Sequence, residues 1–275
     1  MISAGLYGGL VLYAVATALA VWSVRSGDRK GLQAARFGAV FGAIDHIVYL
    51  VRIGIREGHF PVTGAIEAYI FLSTAIIVVA LALDALRKWP VILVATLPLT
   101  VVTTLLAVAL TSIPAQGSPP PQAKSSLWTS LHIFTALGSY GAFAIAFVSS
   151  ILYLIAQRQL KDHTSASFLG IMPPLETVAR ITRRSIAAGV LLLAGGLLVG
   201  YLQARNVYGI QSWWRNDPKI ILTTLTLGAY AAILALSGRP TFKGRRTALA
   251  SVLGFFLVMT TFWASVFWSD FHRFH

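Results

Sequence analysis

The chain has 275 residues, of which 56% are hydrophobic and only 11% charged, against about 25% charged in a soluble domain. So few charges cannot cover a folded surface in water, and the composition points to an integral membrane protein. With no cysteine in the chain, disulfides, thiolate zinc sites, Cys-ligated iron–sulfur clusters and a Cys-x-x-Cys redox pair are excluded within it.

Apolar stretches able to cross ~30 Å of hydrocarbon need roughly 20 residues each. Eight occur, at about 3–23, 37–55, 62–86, 90–112, 129–157, 185–204, 218–237 and 247–268. They predict an all-α polytopic protein with a single membrane domain, 1–275. The first stretch is apolar from Met1, with no charge before Arg25. A secretory signal carries positive charge ahead of its apolar region, so this one reads as a retained span. The loop at 112–126, "SIPAQGSPPPQAKSS", reads as an extended Pro/Ser-rich connection. The loop at 158–184 is the longest on its side, and its segment "LETVARITRR" fits a short amphipathic helix lying on the surface.

The formal net charge of +13 raises the question of a nucleic-acid partner. The distribution of that charge answers it. Loops after spans 1, 3, 5 and 7 hold fifteen of the 22 Lys and Arg residues, and the other side holds seven. Basic residues collect in cytoplasmic loops, so this split predicts both termini outside the cytoplasm and makes the charge a matter of topology. Nucleic acid is not an expected partner; the lipid bilayer is.

The alternation also sorts the polar residues. His132 opens span 5, His272 and His275 follow span 8, and His59 lies between spans 2 and 3, all on the outer side. The loop at about 205–219, containing "YGIQSWWRNDPK", falls on that side too. Imidazole is a common ligand of haem iron, and two of them fill both axial positions. Trp213 and Trp214 would cover the porphyrin, while Arg205, Arg215 or Lys219 would meet its anionic propionates. The same residues have an interfacial reading, since Trp anchors membrane proteins at the headgroup level. Asp217-Pro218 matches an N-cap followed by a first helical residue, and so starts span 7. His46 follows Asp45 within span 2, and an ionisable pair inside a membrane is a functional hypothesis by default. Adjacent helical residues point about 100° apart, so these two need not bond each other. Glu67 is expected to pair with Arg52 or Arg56. No Ser/His/Asp set, nucleotide-binding Gly loop or pair of catalytic carboxylates appears, so no conventional catalytic site is expected.

"WWRNDPK" (213–219), "FKGRRTALASVLGFF" (242–256) and "DFHRFH" (270–275) occur in an order that resembles the cytochrome c assembly family. That family includes CcsA, CcmC and HemX-type haem-handling proteins. Upstream, "HIVYLVRIGIREGHFPVTGAIEAYIF" (46–71) and "LHIFTALGSYGAFAIAF" (131–147) resemble its N-terminal block and its first external-His helix. The resemblance implies that His132 and His272 are the axial ligands of haem iron. It also implies that Trp213, Trp214 and Asp217 belong to the tryptophan-rich loop between them, and that His46 is an intramembrane histidine. Haem b would then be cofactor or cargo, supporting cytochrome c maturation in the cell's inner (plasma) membrane. A partner membrane subunit and an apocytochrome c are the implied protein partners. Two features depart from the family pattern. Tyr208 stands where the first loop Trp is usual and Ile220 where a Glu is usual, and "YAAILALSGR" (230–239) lacks a second membrane histidine. These departures favour the alternative of a HemX-like regulator of tetrapyrrole synthesis. A transporter with an Asp45/His46 ion site is the other alternative.

Overall fold

The computed structural model describes residues 2–58, 61–62, 64–112, 127–162, 172–208 and 217–267. Eight α-helices account for the described chain apart from short turns, and no strand occurs among the described residues. They are α1 (Ile2–Ser26), α2 (Arg29–Glu57), α3 (Ala65–Arg87), α4 (Pro90–Leu110), α5 (Leu127–Lys161), α6 (Leu175–Tyr208), α7 (Pro218–Leu236) and α8 (Arg245–Phe267). Each is long and apolar enough to cross a membrane. The protein is therefore an all-α, multi-pass membrane protein.

Local sequence sets the helix ends. Asp28 accepts from the Lys30 N–H and so caps α2, and Gly58 closes that helix in the left-handed conformation. Pro90 and Pro218 open α4 and α7, where a missing N–H costs nothing. Within α4, Pro98 is tolerated, and Thr96, Thr100, Thr103 and Thr104 return their hydroxyls to helix carbonyls. These threonines are buried, and each hydroxyl is satisfied within its own helix.

Two helices run further than their apolar stretches predict. α2 begins at Arg29, eight residues before the predicted span, because Arg36 does not lie in a loop. It reaches Asp84 of α3 through Nε–Oδ2 (2.6 Å) and Nη2–Oδ1 (2.9 Å). The segment predicted to lie on the surface, "LETVARITRR", is instead the first turns of a continuous α6. Its polar face carries the Glu176–Arg180 pair, while Val178 and Ile181 are buried against the bundle. Once those two side chains have protein to pack on, nothing breaks the helix before the span. Glu67 also departs from expectation. Arg56 pairs with its neighbour Glu57 (2.6 Å), and no ion pair to Glu67 occurs among the described residues.

The helices pack as sequential antiparallel neighbours, α1 on α2, α3 on α4, α5 on α6 and α7 on α8. α5 is the hub. It packs on α6, α8, α3 and α4, and Phe143 stacks on Tyr230 of α7 at 3.8 Å between ring centroids. Gly189 of α6 permits that arrangement, because a Cβ there would run into the Phe143 ring.

Candidate functional site

His132 lies near the start of α5, facing α6. Its Nδ1 is 2.7 Å from the Gly196 carbonyl oxygen. A carbonyl only accepts, so Nδ1 carries the proton and Nε2 the lone pair, the form in which an imidazole ligates iron. The approach depends on α6 having no side chain at two positions one helical turn apart. A Cβ on Gly200 would sit 2.7 Å from His132 Cε1 and Nδ1, and one on Gly196 would crowd Thr135 at 3.0 Å. The sequence Gly196-Leu-Leu-Val-Gly200 is thus a small-xxx-small seam that lets two helices come close. One turn further out, Gln203 Nε2 donates to Thr129 Oγ1 at 2.7 Å and ties the same two helices.

Other helix ends converge on this face. Tyr140 of α5 meets Phe262 of α8 at 6.0 Å between centroids, and Phe147 stacks on Phe255 at 4.4 Å. Seven residues along α5 correspond to seven residues back along α8, an antiparallel register. That register runs the His132 end of α5 towards the C-terminal end of α8. The α7 start is here as well, because Lys219 is within electrostatic reach of His132. Asp217 takes the predicted role of N-cap: its Oδ1 accepts from the Lys219 N–H at 2.8 Å, and it is only 7% exposed. The C-terminal end of α6, which leads into the tryptophan-bearing loop, completes the face. Trp213, Trp214, Arg215 and His272 lie outside the described residues, as do His59, His163 and His275.

His46 belongs to a different place. It is fully buried in the α1–α2–α3 seam, with Nδ1 3.1 Å from Ser73 Oγ. The Ser73 hydroxyl donates to the Ile70 carbonyl at 2.9 Å, so the imidazole is the donor in their contact and Nε2 carries the lone pair. Nε2 has no hydrogen-bond partner among the described residues and faces Gly9 of α1, where any Cβ would strike it. Tyr13 meets the ring edge-on at 5.1 Å, its hydroxyl also buried without a partner among those residues. Asp45 faces Gly8, also on α1, and its Oδ2 makes no hydrogen bond to His46. The adjacent pair does diverge, as its spacing predicts.

Sequence reasoning picked out His132 but missed what holds it. Gly196, Gly200, Thr129 and Gln203 are residues of ordinary type in an apolar stretch. Only the four-residue spacing of the two glycines could have drawn attention to them.

Residues 62–272 match the family model described as Cytochrome C assembly protein. Among curated relatives, the cytochrome c biogenesis protein CcsA of Synechococcus sp. (strain CC9605) is 25% identical over 279 residues, covering 92% of this chain and 89% of the relative. CcsA of Synechococcus sp. (strain CC9902) is 26% identical over 279 residues, covering 92% and 89%. CcsA of Prochlorococcus marinus (strain MIT 9303) is 24% identical over 286 residues, covering 92% and 88%. No solved structure matches the chain. The family match covers most of the chain, from the turn before α3 to His272, and the chain belongs to the cytochrome c assembly protein family.

Proposed function

We propose that the protein binds haem at the His132 face and hands it on in support of cytochrome c maturation. The carrying observation is the His132–Gly196 bond, which fixes the tautomer that ligation requires at a face where the ends of α6, α7 and α8 meet. His132 and His272 would hold the iron of haem b from opposite sides. Trp213 and Trp214 would cover the ring and Arg215 would meet a propionate, while Asp217 fixes where the loop turns into α7. Two axial imidazoles leave no position open for oxygen, so the protein's work would be holding and orienting haem rather than oxidising a substrate. His46 joins the haem set through the family resemblance alone. Its geometry supports a part in fastening α1 to α3. The apocytochrome c and a partner membrane subunit are the expected recipients and companions, and the inner (plasma) membrane is the expected location.

The test is an absorption spectrum of the detergent-solubilised protein, oxidised and reduced. A Soret band typical of bis-histidine haem is expected in the wild type. It should vanish in the double variant His132→Ala/His272→Ala. An unchanged spectrum in that variant overturns the ligand pair. The loop departures at Tyr208 and Ile220, and the missing histidine in 230–239, favour a regulatory second reading. A deletion strain separates the two. Loss of covalent c-type cytochromes supports haem handling, and altered haem-precursor levels with normal cytochromes support regulation.

A further inference from the structure

A cleft of about 850 Å³ lies between α2–α3 and α5–α6, running from Phe71 and Phe134 at one end to Arg87 at the other, and His132 is not among its lining residues. Its floor is made by small residues, Ala75, Gly138, Gly141 and Ala142, which keep α3 and α5 from filling the space between the two pairs of helices. Its sides are apolar, with Val78 and Leu192 among them. On α3 the lining runs from Phe71 to Arg87, a rise of about 24 Å at 1.5 Å per residue. That exceeds the ~15 Å of one leaflet's hydrocarbon.

The two ends of the cleft differ. At the Arg87 end it is lined by Arg87, Arg180 and Arg184, with Trp89 beside them. All three arginines are exposed. Arg180 shares its charge with Glu176, whereas Arg87 and Arg184 make no ion pair among the described residues. An apolar trough that ends in three guanidinium groups and a tryptophan complements an amphiphile with long hydrocarbon chains and an anionic head. Basic pockets between membrane helices bind anionic lipid headgroups through this combination of charge and depth. Guanidinium binds phosphate bidentately, which distinguishes it from a diffuse positive surface. Among the described residues no His, Met, Tyr or Lys lines the cleft, so haem iron would find no ligand from them there.

We infer that this cleft is a binding site for an anionic diacyl phospholipid, with its phosphate held by Arg87, Arg180 and Arg184 and its acyl chains along the small-residue floor. The inference is independent of haem binding at His132.

The site is tested by native mass spectrometry of the full chain in mild detergent, titrated with phosphatidylglycerol or phosphatidylcholine. The wild type should retain phosphatidylglycerol preferentially. Arg87→Gln/Arg180→Gln/Arg184→Gln should lower that retention at least about tenfold, to the phosphatidylcholine level. Val78→Trp fills the apolar trough and leaves all three arginines, and it should also abolish retention. Equal thermal stability of the variants in phosphatidylcholine shows that they are folded. Equal binding of both lipids by the wild type overturns the inference, and so does undiminished phosphatidylglycerol in either variant. A haem content that falls in the triple variant while lipid binding does not would assign the arginines to haem carboxylates instead. A stoichiometric polypeptide lost only from Val78→Trp would make the cleft a partner-helix site.

Discussion

Two glycines of α6 let α5 come close, Gly200 clearing His132 and Gly196 clearing Thr135. The Nδ1 bond to the Gly196 carbonyl depends on Gly200 having no Cβ, so substituting Gly200 acts on His132 without touching it chemically. Gly200→Leu should therefore lower the haem-to-protein ratio of purified protein about as far as His132→Ala does. Gly195 supplies the control. It is adjacent to Gly196 on the same helix, but a Cβ there meets nothing within 4 Å. Gly195→Leu should leave both haem content and the elution profile unchanged. If Gly200→Leu folds and keeps its haem, His132 is not held in the way its contacts indicate. At this scale the sequence was informative only about chemistry-bearing residues. His132 and Asp217 stand out in an apolar chain, whereas Gly196 and Gly200 are two of 23 glycines and acquire meaning only from the helix that passes over them.

Between elements, the α2–α3 contact shows how a charge inside a predicted loop becomes part of the bundle. Asp84 is 5% exposed, and its carboxylate is met by both Nε and Nη2 of Arg36. Removing the arginine leaves a buried carboxylate without its counter-charge. Arg36 itself is 38% exposed, so water shields part of the pair. The loss in Arg36→Ala is then about 2 kcal/mol rather than the roughly 3–5 kcal/mol of a fully buried pair. Asp84→Ala strands only an arginine that can turn to water, and it should cost less. Thermal unfolding in detergent, read by size-exclusion fluorescence, should rank wild type above Asp84→Ala above Arg36→Ala. The reverse order of the two variants would show that the carboxylate, not the pairing, is what the fold needs. The existence of the spans was legible because length and apolarity suffice for that. Where α2 begins was not, since a run such as Arg29–Lys30 reads as loop until Asp84 of another helix is known to wait for Arg36. The start of α6 was missed for a related reason, because Val178 and Ile181 look like a membrane-surface face until they have α-helical neighbours to bury against.

For the molecule as a whole, the eight-helix alternation makes the two faces chemically unlike. One carries the turns at Lys88 and at 237–244, together with the arginines at the end of the lipid cleft. The other carries His132, the start of α7 and the end of α8. The fifteen-to-seven division of basic residues predicts which face looks outward, and that orientation decides whether haem would meet an apocytochrome outside the cell's membrane or within. The sequence carries no cysteine, so single introduced cysteines report position without a background to remove. Ser112 and Asn206 are exposed on the histidine face, and Lys88 and Lys243 are at the basic one. In intact spheroplasts a membrane-impermeant maleimide should label Ser112→Cys and Asn206→Cys, and should reach Lys88→Cys and Lys243→Cys only after permeabilisation. A fully reversed pattern would turn the His132 face inward and remove the external presentation of haem, while leaving the bundle intact. A mixed pattern is excluded by the fold, because Ser112 lies just past the end of α4 and Lys88 just past the end of α3, and helices paired antiparallel across one membrane cannot put those ends on the same side.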